Sequence, residues 1–100
     1  MWEYEIIEYH NHLKLERSLS NNSIEAYLND IKKLIDFLKS RGNDSLKYSE
    51  VDIDVINDFI EYLYKLGISS YTQARIISGI KSFFNYSIDS AMVAIWTFPD

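Results

Sequence analysis

Ile24, Tyr27, Leu28, Ile31, Leu34, Ile35 and Leu38 recur at intervals of three and four residues, a spacing that gathers side chains on one face of an α-helix. Ser20 precedes the stripe as a capping residue, and Gly42 closes it after the basic Lys39 and Arg41, which suit the negative end of a helix dipole. An amphipathic helix of this kind needs a core to face. Ile6, Tyr9 and Leu13 mark another helix from about Glu3 to Arg17. Asp52 caps a third, whose Ile56, Phe59, Ile60 and Leu63 turn inward until Gly67 ends it, and a fourth begins after Ser69 with Ile77, Ile80, Phe83 and Phe84. The polar stretch 43–50 is the longest connection, with Leu46, Tyr48 and Val51 tucked against the core. With short links elsewhere and no persuasive strand pattern, the fold class is all-α: a compact bundle of four main helices. After Tyr86 the pattern weakens, and Ser87 to Asp100 reads either as a short fifth C-terminal helix from Ala91 to Trp96 or as a frayed tail, with Pro99 limiting any extension.

One hundred residues, 47% apolar and 25% charged with a single proline, fit one folded globular domain. Cysteine is absent, so a disulfide framework and a thiolate zinc site are excluded and a cytoplasmic setting is expected. Glu3, Glu5 and Glu8 interrupt the N-terminus where a secretory signal needs a basic start and a clean apolar stretch. The longest apolar run, Ala91 to Trp96, is far below the roughly 20 residues that span a bilayer, so no membrane partner is expected. A net charge of −5 counts against a simple DNA binder. Its distribution matters more than its sum. Acids crowd the start and the stretch Glu50, Asp52, Asp54, Asp58 and Glu61, whereas Tyr62 to Asn85 holds three cations and no acid.

Two helix starts follow one plan: Leu19-Ser20-Asn21-Asn22-Ser23 and Ile68-Ser69-Ser70-Tyr71-Thr72. Each is an apolar residue, a capping serine, and a hydroxyl residue three positions on. Such first turns present free N–H groups that can seat phosphate oxygens. Arg75, Ser78, Lys81 and Ser82 lie on the polar side of the fourth helix, spaced to project together.

Leu15-Glu16-Arg17-Ser18-Leu19-Ser20, Asn22-Ser23, Glu25-Ala26-Tyr27 and Asp30, followed by Ile68-Ser69, Thr72, Arg75, Ser78, Ile80, Lys81, Ser82 and Phe83-Phe84, resemble the N-terminal core-binding domain of tyrosine recombinases, most closely the Xer-type integrases. The resemblance covers Ile6 to Tyr86. It implies a SAM-like helical domain over 1–86 that packs on one side of a DNA duplex, with 87–100 a tail or partial linker. It also implies that the catalytic residues belong to a second, C-terminal domain missing here, so none of the eight tyrosines is expected to be a nucleophile and Arg17, Arg41 and Arg75 are not expected to be catalytic. The chain departs from the family pattern in having Asn21 and Ser70 where proline commonly follows the capping serine. It also has Leu28-Asn29 and Ile76 where the family tends to carry arginines, which implies reduced DNA affinity.

The expected DNA face joins Ser20, Asn22, Ser23 and Tyr27 of the second helix to Thr72, Gln73, Arg75, Ser78 and Lys81 of the fourth. Gln73 is suited to an adenine edge. On the bland alternative Ser20 and Ser69 only cap, Tyr27 fills the core, and the cations are a solvated helix face. His10 and His12 point about 200° apart on a helix and cannot share one metal ion. Glu50 to Glu61 read as a solvated face with a capping Asp52. Gly79, inside the fourth helix, permits close approach of a neighbouring helix or of DNA. No cofactor and no small-molecule substrate are expected. The expected partners are double-stranded DNA and protomers of the same recombinase. The rival is a helical protein–protein interaction domain without DNA binding, favoured by net acidity and by Trp2, Trp96 and Phe98 should the termini leave them exposed. An independent enzyme is a distant third.

Overall fold

The stripe from Ile24 to Leu38 forms one long helix, α2 (Asn21–Ser40), in a computed structural model that describes residues 1–87. Ile24, Ile31, Leu34, Ile35 and Leu38 of that stripe are buried, as is Phe37. α1 (Glu3–Asn11) precedes it, and α3 (Ile53–Lys65) and α4 (Ser70–Ser87) follow, with a 3-10 turn over Tyr48–Glu50 in the long connection. No strand forms among the described residues, and the all-α bundle of four main helices is the observed fold. The fifth helix expected at Ala91 to Trp96 lies outside the described residues.

Both predicted helix ends close by the same device. Asn43 N–H reaches Leu38 O at 2.9 Å and Gly42 N–H reaches Lys39 O at 3.0 Å; Ile68 N–H reaches Leu63 O at 3.2 Å and Gly67 N–H reaches Tyr64 O at 3.0 Å. These paired bonds need a left-handed residue after the helix, which Gly42 (φ 75°) and Gly67 (φ 82°) supply without a Cβ penalty. Asp52 caps α3 as expected, its Oδ1 accepting from Val55 N–H at 3.0 Å.

The first helix departs from its expected form. α1 stops at Asn11 and continues as a wider π turn, His12–Glu16, in which Arg17 N–H bonds His12 O at 3.2 Å. Tyr9 and Leu13 remain fully buried through this change. The chain then reverses at Ser18, in a left-handed conformation (φ 51°), and Leu19 N–H bonds Leu13 O at 3.1 Å, which delivers the chain to the start of α2.

The core has two aromatic groups. Trp2 and Tyr9 of the N-terminal segment pack on Phe83 and Phe84 of α4, with ring centroids 5.3–6.2 Å apart. Phe37 of α2 packs on Phe59 and Tyr62 of α3 at 5.5 and 5.0 Å. Trp2 is only 7% exposed and donates its indole N–H to Leu46 O at 3.0 Å, so Trp2 is packed down and contributes no exposed apolar surface to the rival reading. Trp96 and Phe98 lie outside the described residues. Val51 is buried, and Leu46 and Tyr48 pack against the core, as the sequence implies.

Candidate nucleic-acid interface

The twin helix starts have twin geometry. Ser20 Oγ accepts from Ser23 N–H at 3.2 Å and donates to Ser23 Oγ at 3.1 Å. Ser69 Oγ accepts from Thr72 N–H at 3.3 Å and donates to Thr72 Oγ1 at 3.1 Å. One orphan first-turn N–H is satisfied in each, and both hydroxyl pairs stand at the surface. Asn22 is exposed beside the first pair.

Among the described elements, α2 and α4 make the most extensive helix–helix contact. At its centre is an ion pair. Asp30 of α2 has no exposed surface, and its carboxylate accepts two bonds from the Arg75 guanidinium of α4, Nη2 to Oδ1 at 2.6 Å and Nη1 to Oδ2 at 3.2 Å. Arg75 itself is 47% exposed. The bond to Asp30 holds the Arg75 pKa up and the guanidinium charged. Burial pushes the Asp30 carboxyl up from its ordinary value, against the bond from Arg75 and the attraction of Arg75 and Lys33, which hold it down. The tight fit depends on Gly79, since a Cβ there would stand 2.2 Å from Asp30 Oδ2. The close approach expected at this glycine is therefore to a side chain of the neighbouring helix.

Tyr27 is half-buried and packs against the core, one turn before Asp30. Its phenol and that of Tyr71 add smaller contributions that favour the charged form of Arg75, after the bond to Asp30. Ser78 and Lys81 line a shallow depression of about 510 Å³ together with His12, Ser82, Asn85 and Tyr86. Ser82 is further engaged by Tyr9, whose hydroxyl lies 2.8 Å from its Oγ. Gln73 is half-buried and donates its side-chain amide to Ile68 O at 2.7 Å.

Arg75 is thus not the plain solvated cation of the bland alternative, since its half-exposed guanidinium is held by a buried carboxylate. Sequence reasoning also passed over Asp30 and Tyr71 as parts of the site. Asp30 sits in the buried register of α2, four residues before Leu34, and an acid at such a position signals a partnered charge. Tyr71 is 82% exposed on the first turn of α4, and its spacing alone carries no such signal. His12 pairs with Glu16, Nδ1 to Oε2 at 2.6 Å, and stacks on Tyr86 at 4.4 Å. Among the described residues no three His, Cys, Asp or Glu side chains converge as a metal site, and no helix is long and apolar enough to cross a membrane.

The site is thus a half-exposed arginine on the α2–α4 seam of a helical bundle in which both helices begin with a paired-hydroxyl cap. The chain belongs to the family described as phage integrase, N-terminal SAM-like domain, which it matches over residues 6–90. It is 36% identical over 83 residues to the tyrosine recombinase XerD of Staphylococcus epidermidis, covering 83% of this chain and 28% of that protein. It is 30% identical over 82 residues to XerD of Pseudomonas aeruginosa (82% and 26%) and 35% identical over 82 residues to the tyrosine recombinase XerC of Roseiflexus sp. (82% and 26%). The chain therefore spans just over a quarter of the length of these relatives, and corresponds to their non-catalytic core-binding portion. No solved structure matches it.

Proposed function

We propose that this chain is the core-binding domain of a Xer-type site-specific tyrosine recombinase, gripping duplex DNA through α2 and α4 in the cytoplasm for strand exchange catalysed outside these 100 residues. The observation that carries the reading is Arg75, half exposed and fixed at the seam of the two helices that begin with paired hydroxyls. Ser20, Asn22, Ser23 and Thr72 meet phosphate oxygens at the two starts, Tyr27 adds a hydroxyl, and Arg75, Ser78 and Lys81 follow the backbone along α4. Gln73 orders the α4 start through its bond to Ile68. These contacts set register without reading bases, so the domain alone binds weakly and in strong dependence on salt.

The test is duplex affinity across a salt series. Arg75→Ala alone would leave a buried carboxylate unpaired, at about 3–5 kcal/mol of stability, so it is combined with Asp30→Asn and Lys81→Ala. Loss of two phosphate contacts flattens the log–log salt dependence by about 1.8. An unchanged slope rejects this face.

A second reading, protein–protein interaction, is favoured by Tyr4, Ile7 and Leu15, which are 69%, 60% and 74% exposed on α1 and the π turn. Light scattering beside a low-salt mobility shift separates the two, since stable dimers indifferent to DNA favour the second.

A further inference from the structure

Arg75 is one of three arginines in the chain, and its surroundings set it apart. Arg17 is exposed, and Arg41, also exposed, lies over the Phe37 ring with its guanidinium carbon 4.9 Å from the centroid. Arg75 is tied by two bonds to a carboxylate that has no exposed surface. Moving Arg75 away would leave that carboxylate buried and unpaired, so the guanidinium cannot swing out as an ordinary surface arginine does. The carboxylate is equally fixed, because its Oδ2 occupies the space a side chain at position 79 would need. Two Nη atoms each spend one N–H on Asp30, and a guanidinium has five such donors in one plane. Donors remain on the half-exposed side, in an orientation set before any ligand arrives.

We propose that Asp30 is a positioning residue for nucleic-acid binding: seated against Gly79, it aims the Arg75 guanidinium out of the α2–α4 seam at a backbone phosphate. The proposal rests on the duplex-binding reading above and assigns Asp30 a role through Arg75 only. Preorganisation removes the ordering cost that a free arginine incurs on binding. The competing possibility is that Asp30 merely cancels the positive charge, and it makes the opposite prediction, since neutralising the acid would then strengthen attraction to DNA.

The experiment is a cycle of Asp30→Asn and Arg75→Ala, each alone and together, read by duplex affinity at low salt, at a temperature where circular dichroism shows Arg75→Ala, less stable by about 3–5 kcal/mol, still folded, and by side-chain ¹⁵Nε relaxation in the free protein. Asparagine keeps the size of the side chain that faces Gly79. In the free native chain the Arg75 Nε–H is ordered while that of Arg17 is mobile, and Asp30→Asn releases Arg75. Asp30→Asn weakens duplex affinity by up to about tenfold, the ordering cost of one long side chain, and has no further effect where Arg75 is already alanine. Equal or tighter binding by Asp30→Asn, an equal loss in both backgrounds, or an Arg75 as mobile as Arg17 overturns the positioning role and leaves the duplex reading intact. Absence of binding by the native chain, with Arg75 ordered, overturns the duplex reading and this role with it.

Discussion

Asp30 is the residue at which stability and the proposed function meet. Its carboxyl is held above its ordinary value of 3.8 by burial, so the folded chain keeps the proton at pH values where the unfolded chain has lost it. The sign follows: the favourable contribution is complete below the ordinary value and is lost as pH rises through the raised one. Stability of the native chain relative to Asp30→Asn, measured by chemical denaturation at a series of pH values from 3 upward (roughly the range where carboxyls titrate), is expected to fall with rising pH across that window. A relative stability that rises instead would mean that the bond from Arg75 outweighs burial. The residue was visible in the sequence as an acid in a buried register, but its partner was not. Arg75 lies 45 positions away, and only the packing of α4 on α2 brings them together.

Among the elements, those that are capped locally were legible and those shaped by long-range packing were not. Ser20 with Ser23 and Ser69 with Thr72 are contacts within one turn, as is Asp52 with Val55 N–H, and each sits where local chemistry places it. The π turn at His12–Glu16 has no such local signature; it forms where the chain must leave α1, keep Leu13 buried and reach Leu19. Gly79 lies between these cases, since its presence in a helix signals close approach while its neighbour is set by the α2–α4 crossing. That crossing gives a sharp expectation. Gly79→Ala destabilises the native chain by about 1–3 kcal/mol through overpacking against Asp30. In an Asp30→Ala background the same change becomes neutral or gains up to about 1 kcal/mol of helix propensity. Thermal denaturation of the four variants measures the coupling, and equal effects of Gly79→Ala in both backgrounds would contradict the packing described.

On the scale of the whole molecule, charge is sorted by helix. α1 carries Glu3, Glu5 and Glu8 together with the exposed Tyr4 and Ile7, whereas α4 from Ser70 to Asn85 carries Arg75 and Lys81 and no acid. An overall charge of −5 is therefore compatible with a local grip on a phosphate strand. The sequence exposed this sorting and both helix starts, but not which helices share a seam, which is a property of the assembled bundle. The central claim, that the α2–α4 seam is the DNA face, is tested most directly by titrating the ¹⁵N-labelled chain with a duplex at low salt and mapping amide shifts. The account predicts shifts concentrated at Asn22 to Tyr27 and at Ser69 to Lys81, with Phe59 to Tyr62 unmoved. Shifts confined to the outer side of α1, around Tyr4 and Ile7, or no shifts at all, would contradict it.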